Sequence, residues 1–179
     1  MTTLVTSDLH YYHKNVIKFC PNTRPFTDVD HMNESLLEYH NRMVKPKDFF
    51  IHMGDFSFGS VDKTHEILFK MNGRKILIRG NHDQTLSKVL SSPSTMESCG
   101  VEWFGDYKEY THHNGQLFIL FHYPIYSWNK AHHKAIHLHG HLHDKITGLP
   151  GNIHNVCWDN YGRYVSLDEF GVIENDNKE

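Results

Sequence analysis

The sequence predicts an α/β fold, a four-layer αββα sandwich in which two mixed sheets pack face to face with helices outside. Three observations point to it. In the first half, short apolar, β-branched runs alternate with helical patterns, as a parallel sheet requires. In the second half helical patterns nearly vanish, and short strands follow one another through polar turns. Strands of both halves run out into side chains that bind divalent metals, and strand C-terminal ends are where open α/β sheets place their sites.

Residues 3–6 read as the first buried strand. Residues 28–44 carry Met32, Leu36, Tyr39, His40 and Met43 at helical spacing behind an Asp or Thr cap, which predicts a crossover helix. Residues 48–53 form a second apolar run that ends at Gly54-Asp55. Residues 61–71 are helical by Ile67, Leu68 and Met71 and stop at Asn72-Gly73, and residues 75–79 form a third strand. Residues 91–94, Ser-Ser-Pro-Ser, read as a flexible loop. Strands are then expected at 102–110, 116–121, 135–139, 153–157 and 164–167, joined by turns such as His113-Asn114-Gly115 and Asn160-Tyr161-Gly162.

The 179 residues suit one domain, expected over residues 1–170, followed by an acidic tail at 171–179. A chain of this length buries about 70% of its unfolded surface and needs no covalent staple. Cys20, Cys99 and Cys157 are widely spaced and odd in number, which fits a reducing compartment. With no signal-peptide pattern and no apolar run of membrane length, a cytoplasmic protein without a membrane partner is expected. The net charge of −3 comes from interspersed signs, so no basic face favours a long nucleic acid. Of the seventeen histidines, His31, His40 and His65 fall in helical patterns, and His112-His113 sit at a hairpin turn. These are expected to be structural or solvated.

Five segments carry the chemistry: Asp8-x-His10, Gly54-Asp55, Gly80-Asn81-His82-Asp83, His122 and Gly140-His141-x-His143. In extended backbone, one intervening residue puts Asp8 and His10 on the same face, and likewise His141 and His143, so each pair can clamp one ion. Gly54 lets the chain turn off its strand and leaves the Asp55 carboxylate free. Asn81 offers a neutral amide oxygen that limits the charge of a cluster. Carboxylate, imidazole and amide together suit a pair of divalent cations, Mn first, with Fe, Zn or Ni compatible, whereas a Cys-rich set would indicate structural zinc. No GxSxG or comparable nucleophile motif is present. A two-metal hydrolase is the expectation.

The blocks DLH, GDF, GNHD, FHYP and GHLH, in this order, resemble the calcineurin-like metallophosphoesterases over Thr2 to about Ser166. The opening DLHYYHKNVIKFC and the later NVCWDN further resemble a small bacterial and phage subgroup. The resemblance implies the metallo-dependent phosphatase fold. It implies that Asp8, His10, Asp55 and His143 hold one metal, and Asp55, Asn81, His122 and His141 the other, with Asp55 bridging. Two ions about 3.5–4 Å apart share a hydroxide and align it for in-line attack on phosphorus. His82 is then the general acid toward the leaving oxygen, oriented by Asp83.

His13, Arg24 and Arg79 are expected to bind substrate phosphate, with Asn15 as a further pocket residue. Tyr123, Tyr126 and Trp128 could stack on a base or pack the loop against the sheet. His139 is placed as a partner behind the ligands. The cleft is expected between loops 11–30, 56–62, 84–100 and 123–134. The expected activity is hydrolysis of phosphomonoesters or small phosphodiesters, nucleotides among them. A nuclease on short DNA or RNA and a catalytically silent metal-stabilised module are the alternatives. The sequence assigns no oligomeric state.

Overall fold

The structure is a computed structural model that describes residues 1–146 and 148–170. The expected tail at 171–179 lies outside the described residues. The first sheet takes strands β1 (Thr3–Thr6), β2 (Phe49–His52), β3 (Arg74–Ile78) and β4 (Val101–Gly105), all parallel, with β9 (Val165–Ser166) antiparallel on β1. Its order is β4-β3-β2-β1-β9. The second sheet runs β5 (Tyr107–Thr111), β6 (Leu117–Phe121), β7 (Ile136–His139), β8 (Ile153–Asn155), with β5 antiparallel to β6 and the other pairs parallel. Both sheets are therefore mixed, as expected.

Strand alternation sorts each sheet's residues into two cores. Val5, Ile51, Ile76 and Ile78 meet Phe118, Leu120, Ile136 and Leu138 between the sheets. Leu4, Phe50 and Leu77, one residue out of phase, face the helices. There, after the short α1 (Val16–Phe19), α2 (Val29–Met43) buries Met32 and Leu36, and α3 (Val61–Lys70) buries Ile67 and Leu68. Each such side chain contributes about 1.5–3 kcal/mol on burial. Both helices start at a side-chain cap: Asp28 accepts from the His31 N–H, and Ser60 from that of Lys63. The second sheet's outer face is covered by the segment 122–135, whose described helical structure is one 3-10 turn, Ala131–His133.

Two expectations about elements are corrected. The run 102–110 is two strands, because the chain leaves the first sheet after Gly105 and enters the second at Tyr107. A single residue, Asp106, separates the two strands, so no loop in the sequence marks the change of sheet. Residues 93–94 open a short helix, α5 (Pro93–Ser98), and only residues 90–92 link it to α4 (Gln84–Val89). Pro93 opens α5, a position where its missing N–H costs nothing.

Candidate metal centre

The parallel crossovers bring the ends of β1, β2, β3, β6 and β7 to one edge, and all seven candidate ligands meet there. A continuous chain of close approaches links them. His143 Nε2 lies 3.9 Å from Asp8 Oδ1, and His10 Nε2 lies 3.6 Å from that same oxygen. His10 Nε2 is 4.0 Å from Asp55 Oδ2, which is 3.7 Å from His122 Nε2. Asn81 Oδ1 sits 3.1 Å from both His122 Nε2 and His141 Nδ1. Asp8, His10 and His143 could hold one ion, and so could Asp8, Asp55 and His122, since the ligand atoms of each trio lie within 4.8 Å of one another.

Backbone strain concentrates at these residues. Asp8, His10, Asp55, His141 and His143 all have positive φ, between 52° and 72°. For residues with a Cβ this conformation costs energy, and it persists only where the surroundings impose it. Two glycines make the close approach possible. A Cβ on Gly54, at φ +106°, would lie 2.4 Å from His122 Nδ1, and one on Gly80 would lie 2.2 Å from Asp55 Oδ1.

The polar atoms are prepared for a cation. Asp8 Oδ1 and both ring nitrogens of His10 are buried without a hydrogen-bond partner. His122 Nδ1 donates to the Met53 carbonyl at 2.8 Å, so its Nε2 presents a lone pair to Asn81 Oδ1, acceptor against acceptor. His143 Nδ1 donates to Asp159 Oδ2 at 2.6 Å and so likewise turns a bare Nε2 toward Asp8. Orienting an imidazole through its other nitrogen is how metal-binding histidines are fixed. Burial opposes ionisation of Asp8, but His10, His122 and the Cys157 thiol beside it hold its carboxyl well below the usual range. The Asp159 hydrogen bond raises the His143 pKa, whereas burial lowers that of His141. This donor set fits a pair of divalent cations.

Several assignments change. Arg24 is 0% exposed, with its guanidinium turned into the interior and not toward the cleft. Its guanidinium bonds Asp159 through Nε (2.8 Å) and Nη2 (3.0 Å), and it donates to the Leu9 and Asp8 carbonyls at 2.9 and 2.6 Å. It thus braces the strained loop that carries Asp8 and His10. Arg79 is exposed, paired with Asp106 at 2.6 Å, and is not among the residues that line the cleft. Asp83 does not orient the His82 ring, because its two oxygens accept the backbone N–H groups of Asp55, Phe56 and Gly80, each at 2.8 Å. It stitches the Gly54-Asp55 turn to the Gly80-Asn81 turn. Burial pushes its carboxyl pKa up against the pull of these donors.

His13 lines the cleft, its pKa lowered to about 4 by burial and then by His10. His82 is exposed at the cleft, its ring 4.7 Å from that of Phe58. Asn15 is exposed and does not line the cleft. Trp128 packs on the sheet, bonding the Ala135 carbonyl at 2.9 Å with its ring 5.3 Å from that of His137. Tyr123 packs on His122 and His141. Behind the ligands, His139 donates to the Gly140 carbonyl and leaves Nε2 unpartnered. The cleft, about 560 Å³, is lined from residues 10–20, 55–58, 81–82 and 141–145, not from the 84–100 and 123–134 loops.

The sequence reading missed Asp159 and Cys157. Asp159 joins Arg24, Thr23 and His143, and Cys157 donates to Asp8 Oδ2 at 3.0 Å. The only signal was the NVCWDN string, read there without a role for either residue.

A carboxylate and imidazole cluster at the strand ends of an αββα sandwich is the arrangement of a metal-dependent hydrolase. The family model for calcineurin-like phosphoesterases matches residues 1–170, and the chain belongs to that family of phosphoric ester hydrolases, which use divalent metals. It is 34% identical over 139 residues to an uncharacterized protein of Methanocaldococcus jannaschii. That match covers 76% of this chain but 66% of the relative, just under two thirds of its length. Among solved structures, a protein of unknown function from Aquifex aeolicus superposes with a TM-score of 0.67 at 24% identity, over 94% of this chain and 96% of that one, and shares the fold. A structure described as a novel archaeal phosphodiesterase matches at a TM-score of 0.47 and 17% identity, over 88% of this chain and 82% of that one.

Proposed function

We propose that the protein hydrolyses phosphomonoesters or small phosphodiesters with two divalent cations held by Asp8, His10, Asp55, Asn81, His122, His141 and His143. The observation that carries this reading is the convergence of ligand atoms at one point: Asp8 Oδ1 and both His10 ring nitrogens are buried without a hydrogen-bond partner, and Asn81 Oδ1 comes within 3.1 Å of His122 Nε2. Such an arrangement is costly alone and favourable around cations. When bound, the cations supply an activated water and neutralise the phosphoryl oxygens.

The chain's own residues do the rest. Asp55 Oδ2 lies between His10 and His122 and is the candidate shared ligand, while its Oδ1 accepts the His82 N–H at 2.9 Å and so fixes that residue's backbone. His82, free of ligand duty and exposed to the cleft, donates a proton to the leaving oxygen. Arg24 and Asp159 hold His143 and the Asp8 loop in place. Mn is the first candidate metal for this hard, nitrogen-and-oxygen set. No helix among the described residues is long and apolar enough to cross a membrane, and the three cysteines are free. We read the protein as a single cytoplasmic domain over residues 1–170, the span of the family match, with a small phosphate ester as its partner.

The test is hydrolysis of bis(p-nitrophenyl) phosphate and p-nitrophenyl phosphate, with Mn and after chelation. Activity that depends on metal is expected, and activity undiminished by thorough chelation would overturn the reading. His82→Ala should keep both metals and lose roughly 10²–10⁴ in turnover on an alkyl ester, and less on a p-nitrophenyl ester whose leaving group needs little protonation. Wild-type turnover on the alkyl ester would remove His82 from the mechanism.

A further inference from the structure

Two exposed aromatic side chains line the cleft that holds the ligand cluster. Phe19 is 71% exposed and Phe58 is 40% exposed, and with Val16, Leu142 and Cys20 they form an apolar wall beside His82. A large apolar surface left in water is costly, so such a patch at a site marks something that covers it. Phe58 is also held firmly. Its ring lies 4.2 Å from that of His13, 4.7 Å from that of His82 and 5.3 Å from that of His10. Its N–H bonds the Tyr11 carbonyl at 2.8 Å, next to the bridge between Tyr11 and Ser57. The ring is therefore fixed before any ligand arrives, which favours a flat partner over a flexible one.

The charges of the cleft give the complementary half. Arg24 is paired in the interior and Arg79 is tied to Asp106, and neither lines the cleft. Lys145 is the one permanently cationic side chain in the described lining, and Asp144 stands beside it. Beyond the cluster, the described lining offers a second phosphate that single lysine and no arginine fork.

We propose that the substrate is an ester with a single phosphate whose organic group is planar and apolar, an aryl or nucleobase-like ring that lies against Phe58 and Phe19 while the phosphate sits at the cluster. This rests on the phosphoester-hydrolase reading and specifies its substrate class. Stacking of a ring on an aromatic side chain typically contributes about tenfold or more in affinity.

Calorimetric titration of the Mn-loaded protein with methylphosphonate, phenylphosphonate and phenyl diphosphate tests it. Phenylphosphonate should bind about tenfold more tightly than methylphosphonate. That gap should close to within about twofold in Phe19→Ala, which alters an exposed residue and leaves the fold intact, and in Phe58→Leu, which keeps apolar bulk but removes the ring. Phenyl diphosphate should gain nothing from its second phosphate. Equal binding of the two phosphonates by a protein that does hydrolyse p-nitrophenyl esters overturns the wall and leaves the enzyme reading standing. A preference for the phenyl group that survives both substitutions also overturns it, and tighter binding of the diphosphate overturns the single-phosphate half. No binding of any phosphonate together with no hydrolysis overturns the hydrolase reading itself.

Discussion

The two ends of the parallel sheet bury polar side chains in opposite ways. At the start of β3, Lys75 is 2% exposed, and its ammonium is met by the carbonyls of Met71, Gly73 and Cys99 at 2.7, 3.0 and 2.8 Å. Nearby, His40 is buried against the Asn72 carbonyl and the Tyr164 hydroxyl, at 3.0 and 3.3 Å. At the other end Asp8 and His10 are as deeply buried, yet Asp8 Oδ1 and both His10 nitrogens have no partner, and the backbone that carries them is strained. Burial alone therefore says little about function. A buried group that is fully paired holds loops together, whereas one left unpaired beside others of its kind is a candidate ligand.

The largest effect that bears on this contrast is expected from Asp55→Asn. A carboxylate set between His10 and His122 serves the whole cluster, so its loss should reduce activity by about 10³-fold or more, and by more than His10→Ala does. The metal-free variant should be no less stable than wild type, because removing one of the clustered carboxylates relieves repulsion. Small, equal losses in the two variants would contradict the shared position.

Lys75→Met should do the reverse. It strands three carbonyls and should cost about 3 kcal/mol in urea unfolding, with metal content unchanged. A variant that lost metal would erase the distinction between the two ends.

The structural end should also respond to pH in a defined direction. Burial pushes His40 down to about 4, whereas an unfolded imidazole titrates near 6.5. Between those values the unfolded chain takes up the extra proton. The stability present above about pH 6.5 is therefore lost as pH falls toward 4, by about 3 kcal/mol from this residue. Unfolding of the metal-free protein should show a shallower pH slope in His40→Gln. Identical slopes would mean that His40 is not the group responsible.

The smallest effect belongs to the bracing of the ligand end. Asp159→Asn keeps the side-chain shape but weakens the acceptor for His143 and Arg24, and metal affinity should fall by about 10–100-fold. Unchanged affinity by equilibrium dialysis would reduce Asp159 to a packing role.

What the sequence revealed follows the same divide. The seven candidate ligands were legible because short strands end in Asp-x-His, Gly-Asp, Gly-Asn-His-Asp and His-x-His, and strand ends on one edge of a sheet must converge. Their support was not legible. Arg24 and Asp159 are 135 residues apart, and neither type announces burial, so Arg24 looked like a phosphate ligand until its guanidinium was found inside the protein. Asp83 was misjudged for a related reason. Adjacency in sequence suggested that it faced His82, while the turn points it back at three N–H groups of neighbouring segments. The stretch 102–110 reads as one strand because Asp106 alone separates β4 from β5 where the chain changes sheets.

The central claim is that the unpaired end of the sheet is a site for two cations. Saturation of the purified protein with Mn, dialysis against metal-free buffer and elemental analysis measure it directly. The account predicts close to two Mn per chain before exhaustive dialysis and a higher melting temperature at saturation, since the ions bind only the folded state. A content clearly below two at saturation, with an unchanged melting temperature, would contradict it.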